Sequence, residues 1–260
     1  MQQTNTEPPV FGVHFKEENY YTGSLPCFYN TEDFDWVKDI EAQWQTMQQE
    51  ILGFLQSGGK LDAFTSPTSP GLSYPEAWKK IYFMNSLWLQ PANCRKLPIT
   101  WGILQKIPGI TLGAVLILEP KGQILPHSSE SNINIRCHLG IKIPAGLPEC
   151  GMRVGNQERG WQEGKTVMFS DCHEHTVWNN THETRIIVAF DVLQKQYDDK
   201  RTWLCANYLG ALTLRAIDAY IPFRKWMPAF MLKALHVMVS VLWYIYLPVQ
   251  AIIFSIPGKK

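Results

Sequence analysis

Histidine is concentrated in one part of this chain. Five of the seven, His127, His138, His173, His175 and His182, fall within a stretch of short strand-like runs. That is more clustering than a scatter of surface residues gives. A redox iron centre needs few protein ligands and open positions for oxygen and a cosubstrate, so two imidazoles with at most one carboxylate are the expected minimum. His127 in ILPHSS, at a strand edge, and His175 in HEHTVW supply that minimum, with Arg185 ten residues further on. Spacing alone does not separate this reading from a set of partly exposed barrel histidines.

The strands that carry these groups can be read from their alternation. INIRCHLGIKI puts Ile133, Ile135, Cys137, Leu139, Ile141 and Ile143 on one face and Asn134, Arg136, His138, Gly140 and Lys142 on the other. TRIIVAFDV sends Arg185, Ile187, Ala189 and Asp191 one way and Ile186, Val188 and Phe190 the other. A polar face opposite a wholly apolar one lies either in solvent or in a polar cavity inside a barrel, and periodicity leaves both open. TLGAVLIL, KTVMF and HTVW add short strands, and EPKG, EGK, SD and NNTHE separate them as turns. The pattern predicts an all-β sandwich or barrel with helix before and after it.

Upstream, DFDWVKDIEAQWQTMQQEILGFL spaces Trp36, Ile40, Trp44, Met47, Ile51 and Leu55 by fours and threes. That spacing predicts one amphipathic helix over 33–55, ending near Gly58 and Gly59. The Ser/Pro-rich TSPTSPGLSYPEAW from Thr65 reads as a surface loop. No internal repeat is present.

Composition narrows the partners. Lys and Arg number 24 against 23 Asp and Glu, a formal net charge of +1, so nothing in the global charge argues for a nucleic-acid partner. Six scattered cysteines with no C-x-x-C pair argue against a zinc ribbon or a redox motif and read as reduced thiols of a cytosolic chain. MQQTNTEPPVFG has no basic n-region leading into an apolar run. The far end differs: residues 235–256, LHVMVSVLWYIYLPVQAIIFSI, carry no formal charge and would span roughly 33 Å as a helix. Arg224, Lys225 and Lys233 precede them and Lys259 and Lys260 follow. His236, Pro248 and Gln250 weaken a spanning reading, and AYIPFRKWMPAFMLKAL upstream mixes basic and apolar residues as interfacial helices do. The expectation is membrane association through residues 222–256. Spanning, lying in the interface and a buried soluble hairpin all remain open.

From PHSSESNINIRCHLG to MRVGNQERGWQEGKTVMFSDCHEHTVWNNTHETRIIVAFDV, and upstream into LPITWGILQKIPGITLGAVLILEPKGQILPH, the chain resembles the aspartyl/asparaginyl β-hydroxylases, which are iron(II)- and 2-oxoglutarate-dependent dioxygenases. The likeness covers roughly residues 90–193. It rests on ordered motifs in register: PH, R-x-HLG, the EGK turn, F-x-D, EH-x-VWN and an Arg-led strand. It implies a mainly β fold, a double-stranded β-helix of jelly-roll or cupin-like form, with N-terminal helices and a C-terminal apolar helical segment. The parts expected are an N-terminal arm (1–30), the dioxygenase domain (31–195, with a helical lead-in over 31–108 and a β core over 109–195) and a membrane-associating helical region (196–260).

Carried over position by position, the resemblance makes His127 and His175 the ligands of Fe(2+). Arg185 pairs with the far carboxylate of 2-oxoglutarate, a task suited to a bidentate guanidinium. His138, Arg136 and Ser128 line the cosubstrate and substrate space, and Trp178 matches a pocket position. With O2 as the second cosubstrate, the implied reaction decarboxylates 2-oxoglutarate to succinate and hydroxylates a C–H bond. Two positions depart from the pattern. Ser129 stands where many of the wider class place an aspartate, which leaves two histidines plus water, with Glu130 as a weaker candidate third ligand. Leu116 stands where members can carry a serine that contacts 2-oxoglutarate.

The family contains hydroxylases of Asp/Asn side chains in peptides and hydroxylases of lipid acyl chains. The apolar tail tips the reading toward a lipid, with the catalytic domain facing the cytosol. A non-catalytic cupin-like binding module is the alternative that Ser129 and Leu116 motivate. The Asn179 sequon, NNT, is incidental on this reading.

Overall fold

A computed structural model describes residues 9, 21, 23–63, 72, 77–129 and 131–255. The loop expected from Thr65, most of the N-terminal arm and Glu130 lie outside the described residues. Two short helices, α1 (Trp36–Glu41) and α2 (Trp44–Gln56), lead into strands β1 (Asp62–Ala63), β2 (Trp78–Asn85) and β3 (Trp88–Leu89). Helices α3 (Pro91–Lys96) and α4 (Pro98–Leu104) follow. The barrel strands are β4 (Ile110–Leu118), β5 (Gln123–His127), β6 (Asn134–Lys142), β7 (Cys150–Val154), β8 (Gln157–Arg159), β9 (Thr166–Phe169), β10 (His175–Asn179) and β11 (Arg185–Leu193). The chain closes with α5 (Arg201–Tyr220) and α6 (Ala229–Ser255).

One antiparallel sheet runs β1-β2-β4-β11-β6-β9, with β3 on β2, and a second runs β5-β10-β7-β8. From β4 to β11 the chain passes back and forth between the two sheets, which makes the fold a jelly roll, the double-stranded β-helix expected.

The alternation read in the sequence sends the two faces of the larger sheet to two different cores. Ile135, Cys137, Leu139 and Ile141 of β6 and Ile186, Val188 and Phe190 of β11 pack outward against Val37, Ile40, Met47 and Ile51 of the helices. Ala114, Leu116 and Leu118 of β4 and Ile187 and Ala189 of β11 point inward against Ile124, Met152, Val154 and Val177 of the smaller sheet. The face with Arg136, His138 and Arg185 is therefore the inside of the barrel, not its solvent side.

Two expectations are corrected. The single helix over 33–55 is broken at Ala42 and Gln43, although its apolar face is as predicted. Glu41 accepts hydrogen bonds from the Thr166 N–H (2.8 Å) and Lys165 Nζ (2.9 Å), which ties the end of α1 to β9 before α2 sets off across the sheet. Gly58, at φ 86°, ends α2 as expected. The lead-in over 31–108 is also not wholly helical, because β2 within it pairs along β4. WKKIYFMN is covered on both faces, Ile81 and Phe83 outward and Trp78 inward, and this erases the clean alternation that marks a half-exposed strand.

Ile51 is fully buried between α2 and the sheet. Ile51→Ala should cost about 3 kcal/mol, read as a lowered urea midpoint at unchanged slope, whereas truncating the exposed Glu32 should leave the midpoint in place.

Candidate functional site

The site begins with a register. β5 and β10 pair antiparallel so that His127 stands opposite His175. The next pairs along the ladder are Val177 with Ile124 and Trp178 with Gln123, so β5 carries one extra residue between Ile124 and His127. In a regular strand, positions three apart face opposite sides; the bulge turns His127 inward beside Ile124. Pro126, which has no N–H to give a ladder, sits within it. The two imidazole centroids are 4.1 Å apart. His127 Nδ1 lies 2.8 Å from the Leu125 carbonyl and His175 Nδ1 3.0 Å from the His173 carbonyl. A carbonyl only accepts, so both Nδ1 atoms carry the proton and both Nε2 atoms offer a lone pair. Burial holds the His127 pKa below, and that of His175 well below, the ordinary imidazole value, and each is further depressed by a neighbouring positive charge. A pair of neutral imidazoles, each held through Nδ1 with Nε2 left open, suits a divalent metal. Among the described residues no third His, Cys, Asp or Glu converges with them.

A row of ring contacts leads from this pair into the barrel. Phe169 packs edge-on to His175 (5.6 Å) and to His138 (5.0 Å); His138 stacks on Trp161 (6.1 Å); and the Arg185 guanidinium lies over Trp161 at 4.7 Å. Arg185 is 1% exposed, and its Nε and Nη1 have no hydrogen-bond partner among the described residues. Burial lowers its pKa to about 10, which leaves it protonated at neutral pH. A buried, charged guanidinium with unused donors is costly unless an anion completes it. A carboxylate fits that requirement. His138 Nδ1 is likewise without a partner among the described residues, and burial, with Arg185 next, keeps His138 neutral.

Arg136 is placed differently from expectation. Its Nε and Nη2 donate to the two oxygens of Asp191 (2.6 and 2.7 Å), its cross-strand neighbour, and Nη2 lies 3.1 Å from Asp171 Oδ2. Burial opposes its charge, but the two carboxylates hold its pKa well above the ordinary value. Arg136 stands near the imidazoles with its guanidinium already engaged. Asp171 is raised to about 7, chiefly by burial and against the pull of Arg136, and also takes a hydrogen bond from Ser129.

Residues 41–195, more than half of the chain, match the family model for aspartyl/asparaginyl beta-hydroxylase. The chain belongs to that family. Among curated proteins, it is 32% identical over 171 residues to the ornithine lipid ester-linked acyl 2-hydroxylase of Rhizobium tropici, covering 65% of this chain and 61% of that one. It is 30% identical over 165 residues to human aspartyl/asparaginyl beta-hydroxylase, covering 60% of this chain and 21% of that one. The chain thus spans about three fifths of the first relative's length and about one fifth of the second's. A solved cupin 2 conserved barrel protein from Salinispora arenicola aligns with 48% of this chain and 82% of that one, at 12% identity and a TM-score of 0.31.

Other motif residues of this hydroxylase-family chain sort by strand face. Ser128 directly follows His127 and is half-buried. Trp178 lies on the face of β10 opposite His175, over Gly151, and donates to the Pro148 carbonyl (2.8 Å), so it is outside the barrel and not in the pocket. His173 precedes β10 and contacts the Leu25 carbonyl (2.7 Å), apart from the imidazole pair. Leu116 points into the inner core. Asn179 is fully buried and donates to the Leu118, Glu119 and Glu183 carbonyls, so its sequon is a structural anchor. Sequence reasoning missed Trp161, Phe169 and Asp171, although Phe169 and Asp171 are the F-x-D motif and Trp161 lies two residues before the EGK turn.

Two outcomes follow. Asp191→Asn removes a charge that Arg136 needs, so it should destabilise the fold by about 3 kcal/mol; the Arg136→Met, Asp191→Leu double variant should recover much of that loss in urea unfolding. His127, His138 and His175, whose pKa values burial depresses, bind protons more readily when unfolded. Stability should therefore be flat above about pH 7 and, because the three histidines outweigh the opposing proton uptake of the single Asp171, fall as pH drops below about 6.5 toward the folded histidine pKa values, measured on metal-free protein.

Proposed function

We propose that the protein is an iron(II)- and 2-oxoglutarate-dependent hydroxylase that inserts one oxygen atom into a C–H bond of a lipid acyl chain at a membrane, with its catalytic domain facing the cytosol. The observation that carries this reading is Arg185, a buried cation with unused donors, in line through Trp161 and His138 with a pair of lone-pair-bearing imidazoles. Family membership supports hydroxylation, and six free cysteines with no disulfide support a reducing compartment.

His127 and His175 hold the metal through Nε2, their rings fixed by the Leu125 and His173 carbonyls. Iron(II) with 2-oxoglutarate and O2 supplies oxidative decarboxylation to succinate and CO2, coupled to transfer of one oxygen atom to the substrate. Arg185 takes the far carboxylate of 2-oxoglutarate and fixes its direction along the barrel. His138, neutral and with a free ring nitrogen, gives that molecule a second hydrogen bond without adding charge. Phe169 and Trp161 wall the space and exclude water. Ser129 is held to Asp171 and would offer a bound metal no carboxylate.

The lipid is favoured over a peptide by the acyl hydroxylase relative, of which the chain covers the larger share, and by the apolar exposed surface of α6. Hydroxylation of Asp or Asn side chains is the second reading, supported by the human relative.

With iron(II), ascorbate and 2-oxoglutarate, purified protein should release succinate, and His175→Ala should abolish the release; undiminished succinate would remove His175 from the site. Arg185→Leu should raise the KM for 2-oxoglutarate about 10- to 100-fold, with a smaller change in the KM for the acyl substrate.

A further inference from the structure

We propose that α6 lies flat against an anionic lipid bilayer, with both its ends on the side of the barrel, and that this sets the histidine end of the barrel at the membrane surface. The proposal deepens the lipid reading above and rests on it for what the membrane supplies.

α6 is the one helix among the described residues long and apolar enough to cross a membrane. Its contacts argue against crossing. One stripe, Leu232, His236, Ser240, Leu247 and Gln250, is buried. His236 Nε2 lies 2.9 Å from the Asn207 carbonyl of α5, Trp243 Nε1 donates to Thr213 Oγ1 (3.0 Å), and Gln250 Nε2 donates to the Leu87 carbonyl beside β3 (3.3 Å). A Cβ on Gly210 would come within 2.5 Å of Ser240 Oγ, so the two helices touch backbone to side chain. A membrane-crossing α6 would drag α5, with Arg215 and Asp218, and the β2–β3 edge into hydrocarbon, where charged groups and unpaired strand edges are costly. His236, Ser240, Trp243 and Gln250 Nε2 instead find hydrogen-bond partners within the protein.

The remaining faces of α6 are apolar and open. Trp226 just before it is 85% exposed, and within it Phe230 is 73%, Leu242 61%, Ile252 62% and Phe254 49% exposed. Across 27 residues, about 40 Å, this is far more than the scattered apolar surface of a soluble face. Between Arg201 and Ser255 stand five basic residues, Arg201, Arg215, Arg224, Lys225 and Lys233, and a single acidic one, Asp218. Arg224 lies beside Asp218, and the exposed Lys225 and Lys233 are left at the apolar face, where they complement anionic headgroups over an acyl boundary.

The same hairpin is attached at the end of the barrel where the histidines lie. Leu204 in the first turn of α5 packs with Ile133, Leu193 and Tyr197. Ile133 is six residues past His127, and Leu193 is two past Asp191, the partner of Arg136. The Arg201 guanidinium donates to the Ile110 carbonyl at the start of β4. Leu247 of α6 packs by Leu87, just past the end of β2.

The test uses the full chain, with Cys27→Ser as background and single cysteines at Phe230→Cys, Leu242→Cys and Ile253→Cys carrying an environment-sensitive dye. It is added to phosphatidylcholine vesicles with or without phosphatidylglycerol and quenched by lipids labelled at graded depths. All three sites should report similar shallow depths, about 5–10 Å into the boundary. Lys225→Ala combined with Lys233→Ala should weaken binding to the anionic vesicles at least tenfold. Leu242 at the bilayer centre with the other two sites shallow would overturn the proposal, as would lipid quenching at none of the three with self-association in its place. His175→Ala should bind vesicles like its parent while releasing no succinate. Turnover without vesicle binding would sink the docking alone, and binding without turnover would sink the hydroxylase reading alone.

Discussion

The pairing of β5 with β10 governs everything built around it. His127 and His175 meet because these two strands are in one register and because β5 carries an extra residue before His127. A slip of one position would turn an imidazole out of the barrel, since side chains alternate strictly between faces. The register is held from both directions. Val177 and Ile124 fill the inner core below the imidazoles, and Thr176 Oγ1 donates to the Ile124 carbonyl (2.7 Å) at the bulge itself. On its other side β10 runs without interruption along β7, from His175 opposite Val154 to Asn179 opposite Cys150. The bulge is therefore fixed between one regular ladder and one packed core.

Among the described residues around that pair, the charges are distributed so that one cation, Arg185, keeps unused donors. Arg136 is the nearer cation, but two carboxylates, one of them directly across the sheet, neutralise it and make it part of the frame. Arg185, at the far end of β11, faces aromatic and aliphatic groups and keeps unused donors. Burial keeps the three histidines between them neutral. A site of neutral nitrogen donors at one end and a lone buried cation at the other has the polarity to orient a dicarboxylate chelating a metal.

Much of this was legible in the sequence where structure is periodic. The two faces of INIRCHLGIKI and TRIIVAFDV map directly onto the outer and inner cores, and the apolar steps from Trp36 to Leu55 mark the helical surface that covers the outer one. What was not legible has a common cause: it depends on contacts far apart in the chain. The break at Ala42 answers to Glu41 binding β9, 125 positions away. β2 loses its alternation because both of its faces are covered. The engagement of Arg136 required knowing that Asp191 lies across from it, and the exclusion of Trp178 required knowing which face of β10 the barrel uses. Trp161 lies between strands, in a segment with no period to read, and only the fold brings it over Arg185.

The α5–α6 hairpin extends the same logic outward, since His236 and Gln250 turn toward α5 and the β2–β3 edge while large apolar side chains are left facing away. The centre of the reading, however, remains the imidazole pair with the distant guanidinium. The most direct measurement is an anaerobic titration of iron(II) into the full chain, followed by 2-oxoglutarate, monitored by the charge-transfer absorption that a metal-chelated 2-oxo acid produces. One equivalent of iron should bind, the absorption should appear on adding 2-oxoglutarate, His127→Ala should lose both, and Arg185→Leu should keep the iron but require far more 2-oxoglutarate. Iron binding that survives the loss of His127, or an absorption indifferent to Arg185, would contradict it.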